Sequence, residues 1–385
     1  MERVYDAVVV GAGYVGCSVA YHLTKSGLRT VLVEQGNGIC SGASGGNYGC
    51  VQVQDAELKH SVPFVKAGFR YFDCLEDELG MSFRLRPRYS LLVIENENQW
   101  DKMKLRHEVI RQAGIQSELI PAERIPEIEP LFNHHTVLGA LYHPYEAQVY
   151  PFDFAWAYVN RAQQMGLEFL TNTQVTGFEL QGGRIAGVRI QDRVMSTGLV
   201  VLTTGAWTSQ LGKTLGYDWE ISYITGQACA TEVTGEEMQG YVSSAAFFED
   251  VQSDSDLSSV KCALAIAQSP HGNFLLGESS SVQAEFRRRV SYQGISAIVE
   301  QSTRYFPILE RLNIIRSWAV PVAHTADQLP FLGAVSGVPG LFMAVAFHST
   351  VITTPLVGNL IKQLVFGEET EVNIRAFSPD RCVVC

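Results

Sequence analysis

The sequence contains no stretch of about 18 uncharged apolar residues, the length that a helix needs to cross a bilayer. This predicts no membrane span, although 46% of the 385 residues are hydrophobic. Basic residues are also scarce, because 29 lysines and arginines face 40 aspartates and glutamates, giving a formal net charge of −11. Proteins that bind nucleic acids gather basic residues, so this balance argues against a nucleic-acid partner. The short basic run at 287–289 is interpreted as a solvated helix face.

The eight cysteines form neither a disulfide framework nor an iron–sulfur pattern. They are scattered in apolar surroundings, as in reduced intracellular proteins, and the apolar N-terminal stretch shows no cleavage site. We therefore expect a cytoplasmic protein. In the terminal RCVVC, Cys382 and Cys385 have the spacing of half a metal site or of a redox pair. With no second pair, and with His134, His135 and His143 fitting no metal pattern, we predict no metal site.

Three glycines follow the first apolar run, in VVVGAGYVGCSVA at residues 8–20. The pattern predicts a strand, a tight turn at Gly11, Gly13 and Gly16, and a helix that ends at Gly27. In a dinucleotide site the first glycine makes the turn, the second admits the pyrophosphate and the third lets the helix pack on the strand. The helix N-terminus also attracts an anion. Glycine turns of this kind serve plain packing as well.

The next strand, RTVLVE, strengthens the nucleotide interpretation. It ends in Glu34, 18 positions after Gly16, where dinucleotide-binding folds carry the carboxylate that binds the ribose hydroxyls. The alternative is a solvated strand end. The small-residue segment that follows, NGICSGASGGNYGCVQ at 37–52, carries no charge and has apolar flanks. We predict that a large planar ligand covers this loop, in preference to a flexible linker.

The remaining patterns predict two interleaved domains, as the chain length also suggests. Apolar strands that look parallel lie near both ends of the chain, and antiparallel-looking strands fill two middle stretches. Helical spacing predicts helices over 98–113, 151–165 and 282–306, and a last helix from Pro355. The predicted cofactor domain comprises residues 1–80, 150–219 and 330–385. The predicted substrate domain comprises residues 81–149 and 220–329.

Four blocks together resemble the FAD-dependent amine and amino-acid oxidoreductases of the D-amino-acid oxidase superfamily. They are the glycine turn with Glu34, SGASGGNYG at 41–49, TTGAWT at 203–208, and the segment 318–358. The resemblance spans nearly the whole chain. It implies an α/β fold in which a Rossmann-type, glutathione-reductase-like FAD-binding domain is interleaved with an α+β substrate domain built on an antiparallel sheet.

The resemblance names FAD as the cofactor and implies a role for each matching position. The glycines would hold the pyrophosphate, Glu34 the adenosine ribose, and residues 41–45 the ribityl chain and flavin. Val175 would lie near the adenine, Gly205 with Trp207 would close over the cofactor, and segment 347–354 would reach the flavin pyrimidine. The implied contacts are Gly11, Gly13, Gly16, Glu34, Ser41, Ala43, Ser44, Gly45, Val175, Gly205, Trp207, Ser349 and Thr353.

The sequence departs from the family where many relatives carry an arginine that binds the substrate carboxylate. Val322 and Ala323 stand at that place, in SWAVPVAHTADQLPFLG. Lys59, Arg86 and Arg88 are the candidate replacements, each weighed against a solvated surface cation. AFHST brings His348 close to the flavin, as a group that orients substrate or as a hydrogen-bonded turn histidine. Tyr89, Tyr145 and Tyr223 are candidate hydroxyls for the substrate, weighed against simple packing.

The expected reaction is oxidation of a secondary amine or amino acid to an imine, with no catalytic triad required. The length and blocks look most like the catalytic β-type subunits of multi-subunit dehydrogenases, which implies electron-accepting partner subunits with flavin or iron–sulfur groups and allows for an FMN at a subunit interface. The alternatives are a single-chain, glycine-oxidase-like enzyme that reduces O₂, and a non-catalytic or tRNA-related flavoprotein. The acidic balance argues against the tRNA role.

Overall fold

The computed structural model describes residues 4–191, 193–235, 237–249, 260–281 and 288–382. Arg287 and Cys385, which the sequence singled out, lie outside them. The helices are α1 (Tyr14–Lys25), α2 (Ser61–Phe69), α3 (Leu75–Leu79), α4 (Glu97–Gln112), α5 (Ile125–Ile128), α6 (Pro151–Gln164), α7 (Thr208–Lys213), α8 (Tyr292–Tyr305) and α9 (Thr350–Phe366). The strands are β1 (Ala7–Val10), β2 (Thr30–Val33), β3 (Cys50–Val51), β4 (Arg86–Ile94), β5 (Glu118–Pro121), β6 (Gly139–Gln148), β7 (Glu168–Leu170), β8 (Val175–Gln181), β9 (Arg184–Ile190), β10 (Arg193–Ser196), β11 (Val200–Leu202), β12 (Ile221–Val233), β13 (Gly240–Ser244), β14 (Lys261–Gln268), β15 (Asn273–Ser281), β16 (Ile314–Thr325), β17 (Phe331–Ala334) and β18 (Leu341–Val345).

A six-stranded sheet in the order β17-β18-β11-β1-β2-β7 carries the glycine turn. Its strands pair in parallel except for β17, which runs antiparallel to β18. Every residue of β1, β2 and β11 is buried, which explains why these strands are continuous apolar runs: a parallel sheet is covered on both faces.

Each face of this sheet packs against a different layer. Ala7 and Val9 of β1 share a core with α1, α6 and α9, and α1 contacts both other helices. Val8 and Val10 point the other way and pack against the three-stranded antiparallel sheet β10-β9-β8. Because side chains alternate between the two faces of β1, the parallel sheet packs between a helix layer and a small antiparallel sheet.

A nine-stranded sheet lies beside these layers, in the order β16-β12-β15-β14-β13-β4-β6-β3, with β5 paired to β6. All its pairs are antiparallel except β4 with β13, which is parallel and joins the two middle stretches of the chain. Helix α8 packs on β14 and β15 through Ile298 and Tyr305. This architecture agrees with the predicted α/β class, and the parallel pair is a difference from the purely antiparallel sheet that we expected.

The predicted helices 98–113 and 151–165 correspond to α4 and α6 within a residue or two. The helix predicted over 282–306 begins at Tyr292 in the described residues. The helix predicted from Pro355 is wrong at its start, because α9 begins at Thr350 and contains Pro355. Val351 and Ile352 are buried in the core, and this packing outweighs the backbone hydrogen bond that proline cannot donate.

Within the described ranges, no helix is both long and apolar enough to cross a membrane. The domain boundaries stay a prediction. All six strands of the parallel-type sheet come from the segments 1–80, 150–219 and 330–385, whereas β3, at 50–51, pairs with β6 of the nine-stranded sheet.

Candidate active site

The glycine turn brings the end of β1 against the start of α1. Gly11 has φ +102°, a conformation that side-chain-bearing residues rarely adopt. A Cβ on Gly16 would lie 1.9 Å from the Gly11 carbonyl oxygen, so the third glycine allows helix and turn to touch. Gly13 precedes the helix as its N-cap and, being glycine, makes no side-chain capping bond of its own. The helix start therefore presents backbone amides and the positive end of its dipole.

Glu34, at the end of β2, is 7% exposed and points back at the turn. Its carboxylate accepts hydrogen bonds from the backbone amides of Ala12 at 2.9 Å and of Gly36 at 2.7 Å. These bonds fix the carboxylate beside the glycines and hold it ready to accept from hydroxyl donors.

A cavity of about 840 Å³ extends from this turn. The predicted residues that line it are Gly11, Gly13, Glu34, Ser41, Ala43, Ser44, Val175, Gly205 and Trp207. Gly16 and Gly45 are not among the described lining residues; they allow close backbone packing instead, since a Cβ on Gly45 would lie 2.3 Å from the Cys40 carbonyl oxygen. The loop after Glu34 is thus packed against the turn, and the Ser44 hydroxyl accepts from the Tyr14 amide at 3.2 Å.

The far end of the cavity is formed by β16 and by the segment before α9. Val322, Ala323 and Phe347 line it there, and Phe347 also borders a small neighbouring hollow. His348, Ser349 and Thr353 line that hollow rather than the main cavity. The structure therefore brings the glycine turn and the small-residue loop, both near the start of the chain, together with the β16–α9 segment near its end.

Two imidazoles lie at this far end. The rings of His324 and His348 meet edge to face, with centroids 5.3 Å apart. Burial and, to a smaller extent, the neighbouring His348 together lower the pKa of His324 to about 4. Burial also lowers the pKa of His348, and the Asp55 carboxylate opposes this shift. Both rings are therefore uncharged at neutral pH, and Asp55 itself accepts a hydrogen bond from the Ser349 hydroxyl at 2.9 Å.

With this geometry in place, the likeness to known proteins decides the family. The family described as "DAO: FAD dependent oxidoreductase" matches residues 6–364. The chain belongs to this FAD-dependent oxidoreductase family. The resemblance drawn from the four sequence blocks is thereby confirmed.

Individual members of the family match over most of their length. The hydrogen cyanide synthase subunit HcnC of Pseudomonas aeruginosa is 28% identical, covering 98% of this chain and 96% of that protein. The sarcosine oxidase subunit beta of an Arthrobacter species is 24% identical, covering 86% and 79%. The crystal structure of glycine oxidase from Geobacillus kaustophilus superposes with a TM-score of 0.88 at 24% identity, over 100% of both chains. The last comparison confirms the predicted fold class.

The cavity fits the family's cofactor on observations of this chain alone. It has the volume of a typical small-molecule site, it is lined by the glycine cradle at one end and by Val322, Ala323 and Phe347 at the other, and it carries a fixed carboxylate at the cradle end. FAD needs these elements for its pyrophosphate, its ribose and its flavin ring. The residues present therefore fit this group.

The other residues that were predicted to bind substrate lie in different parts of the structure. Lys59 is exposed and is absent from the described lining of both cavities. Tyr223 pairs with Ala323 across β12 and β16, and alternation points it away from the face that carries Val322. Arg88 is half-buried on β4, with Nη1 donating to the Pro87 carbonyl at 3.5 Å.

Three further candidates have structural partners or open surroundings. Arg86 donates to the Gln148 side chain and to the Gln268 carbonyl. The Tyr89 hydroxyl donates to Glu129 at 2.7 Å. Tyr145 is 69% exposed. These contacts favour the packing and surface interpretations for all three residues.

Sequence reasoning missed Asp55, His324 and Arg288. Asp55 and His324 contact the AFHST segment, and Arg288 lines the cavity. Asp55 follows the small-residue loop closely in the sequence, and this position was the one feature that could have indicated its place near the site. His324 and Arg288 belong to distant segments whose positions depend on the fold.

Within the described ranges, no group of three or more histidine, cysteine or acidic side chains is placed to hold a metal ion. Cys17, Cys40, Cys50, Cys74, Cys229 and Cys262 are free thiols there. The prediction for the RCVVC pair stays untested because Cys385 lies outside the described residues.

Proposed function

We propose that this protein oxidises the carbon–nitrogen bond of a small secondary amine or amino acid, with FAD as the electron acceptor. The observation that carries the proposal is the cavity that begins at the glycine turn and ends at Phe347, next to the small hollow that is lined by His348, whose uncharged ring meets that of His324. The relatives named for sarcosine and glycine oxidation support the same reaction class.

The proposed cofactor contacts follow the cavity. Gly11, Gly13 and the start of α1 bind the pyrophosphate, and Glu34 binds the adenosine ribose. Residues 41–45, Val175, Gly205 and Trp207 surround the rest of the cofactor, and Ser349 and Thr353 lie toward the flavin end. Residues 1–80, 150–219 and 330–385 would then form the cofactor domain, and residues 81–149 and 220–329 the substrate domain.

The chemistry needs an amine in its neutral form, because the nitrogen lone pair must assist departure of the neighbouring hydrogen. FAD, when bound, accepts the electron pair of the carbon–hydrogen bond. His348, uncharged at neutral pH, accepts a proton from the substrate ammonium and leaves the amine neutral. The carbon–nitrogen bond becomes double as the carbon–hydrogen bond breaks, and water then hydrolyses the iminium to a carbonyl compound and an amine.

Arg88 is the cation we favour for a substrate carboxylate, since Val322 and Ala323 cannot bind one. Burial lowers the pKa of the Arg88 guanidinium. Burial and the charges of Glu146 and Asp55 raise the pKa of the half-buried Cys50 thiol, whereas the charges of Arg86 and Arg88 lower it, so Arg88 and Asp55 border one region. Lys59, being exposed, is the weaker candidate, and Tyr223 stays a prediction.

The electrons are proposed to leave through a partner subunit with a flavin or iron–sulfur group. Support comes from HcnC and the sarcosine oxidase subunit beta, both named as subunits. An FMN shared at the subunit interface and a location in the cytoplasm belong to the same proposal. The single-chain glycine oxidase is the model for the alternative, in which O₂ is the acceptor.

The test is anaerobic mixing of the FAD-loaded protein with glycine, sarcosine, proline isomers and opines, followed by the flavin's visible absorbance. Bleaching by at least one of them is expected. No bleaching with any member of a broad amine panel would contradict amine oxidation. Peroxide yield compared with dye reduction, with and without co-expressed neighbouring genes, then separates O₂ from a partner subunit as acceptor.

A further inference from the structure

The basic run at 287–289, interpreted from sequence as a solvated helix face, is divided by the fold. Arg288 lines the main cavity, and its Nη2 donates to the backbone carbonyl of Ser41. Both arginines are exposed side chains, but Arg289 is not among the described residues that line the cavity. Arg288 precedes α8, so it reaches the cavity from the chain segment that packs on the nine-stranded sheet.

Arg288 lies at the glycine-turn end of the cavity. Its partner Ser41 is close to Gly36, because a Cβ on Gly36 would lie 2.4 Å from the Ser41 hydroxyl and 3.1 Å from the Glu34 carboxylate. Phe347, Val322 and Ala323 line the other end of the cavity. The guanidinium therefore borders the part of the cavity where a diphosphate and ribose would lie.

The charges of the residues that line the cavity indicate what Arg288 can contribute there. Among the described residues that line the cavity, Arg288 carries the positive charge and Glu34 the negative charge. The amides and dipole of α1 supply only partial positive charge. A bound dinucleotide brings two phosphate charges into this lining, next to the Glu34 carboxylate, and a guanidinium neutralises part of that charge.

We propose that Arg288 binds the diphosphate of the cofactor from the side opposite the glycine turn. A guanidinium has five N–H donors in a planar fork, so the bond to Ser41 leaves donors for a bidentate contact with phosphate oxygens. The cofactor thus joins the glycine turn to the segment before α8. This inference depends on the proposed cofactor site and is independent of amine oxidation.

The test measures binding rather than activity. Apoprotein is titrated with FAD and, separately, with riboflavin, which has no phosphate, and the quenching of flavin fluorescence gives each dissociation constant. Arg288→Gln is expected to raise the FAD dissociation constant about tenfold and to leave that of riboflavin unchanged. Arg288→Lys keeps the charge without the planar fork. Its FAD dissociation constant is expected to lie between that of the unmodified chain and that of Arg288→Gln. Arg289→Gln is the matched control and should bind FAD like the unmodified chain.

Salt provides a second measure. FAD binding should weaken with rising ionic strength in the unmodified chain, and less so in Arg288→Gln. Equal FAD affinity in Arg288→Gln and Arg289→Gln would overturn the proposal. Equal weakening of FAD and riboflavin would also overturn it, because the side chain would then only shape the cavity wall. Failure of the unmodified apoprotein to bind FAD would instead refute the cofactor site itself.

Discussion

Around the six-stranded sheet, the groups that face the cavity are mostly backbone amides and small side chains. Gly11, Gly13 and Ser44 act there through their lack of bulk or through a single short hydroxyl. Around the nine-stranded sheet, buried ionisable side chains dominate. Arg106 is 4% exposed and donates to the Gln54 and Ala56 carbonyls at 2.8 Å and 2.6 Å.

The two regions therefore encode their sites differently. A glycine turn is local, since its residues are neighbours in the chain and their effect follows from backbone sterics. A set of buried charges is defined only once distant strands have paired. Burial raises the pKa of Glu146 on β6, and the Val53 amide, which donates to its carboxylate at 3.0 Å, opposes that rise.

Gly16→Ala is the sharpest test of the region around the six-stranded sheet, where backbone amides and small side chains face the cavity. The new Cβ would lie 1.9 Å from the Gly11 carbonyl oxygen, so strand and helix must separate. We expect the free energy of unfolding to fall by about 3 kcal/mol, with loss of FAD from the purified protein. Urea unfolding and flavin content measure both effects. Gly38→Ala is the control, because a Cβ there meets nothing within 4 Å; similar losses in both variants would contradict the steric argument.

Glu34→Ala is expected to have the next largest effect, on FAD binding and also on folding stability, because the Ala12 and Gly36 amides lose their acceptor. Removing a charged hydrogen-bond acceptor should weaken FAD binding by about 2 kcal/mol, roughly thirtyfold in the dissociation constant. The substrate KM of the reconstituted fraction should not change. Gln35→Ala, which alters a neutral side chain on the same cavity wall, serves as the control. Normal flavin retention in Glu34→Ala would argue against the ribose contact.

These two variants probe what the sequence alone could predict. The β1–α1–β2 unit, the place of Glu34 and the apolar character of the sheet follow from short-range patterns, and the structure forms them at the expected positions. The helix predicted at 151–165 is equally local, with Pro151 as its first residue. Backbone sterics and periodicity act over a few residues, so a sequence pattern is sufficient for them.

Contacts between distant segments of the chain could not be predicted in the same way. The Ser349 hydroxyl meets Asp55 across 294 positions, and Arg288 meets Ser41 across 247. The pairing of β4 with β13 joins two separate stretches in parallel, and no local pattern distinguishes it from an antiparallel pair. Such contacts are set by strand order and register, which depend on the packing of the whole chain.

His348→Ala tests the junction of the two regions. If the imidazole keeps the substrate amine neutral, kcat/KM should fall roughly tenfold, on the order of 1.4 kcal/mol, while the protein stays yellow. The acidic limb of the pH profile should move as well, because the proton acceptor is lost. His135→Ala, at an exposed site, is the control. Unchanged kinetics in His348→Ala would remove this residue from the site.

The smallest expected effect concerns His143 on β6, which tests whether buried ionisable groups govern the nine-stranded sheet. The side chain is 1% exposed, and within the described residues neither ring nitrogen has a hydrogen-bond partner. Burial lowers its pKa to about 3, and the charges of Arg106 and His107 add to this shift. In the unfolded chain its pKa is near the ordinary value of about 6.5.

As the pH falls, His143 therefore takes up its proton at a higher pH in the unfolded chain than in the folded protein. The stability contributed by neutral His143 is complete above about pH 6.5 and declines toward about pH 3, with a loss of about 1 kcal/mol between about pH 7 and pH 5.5. His143→Leu should remove this part of the slope when urea unfolding is followed at both pH values, and exposed His135→Leu should not. The raised pKa of Glu146 acts in the opposite direction in all three proteins and cancels in the difference. If the pH dependence of the free energy of unfolding were unchanged in His143→Leu, water would reach the ring of His143 in the folded state. His143 would then not be an example of the buried ionisable groups that distinguish the nine-stranded sheet.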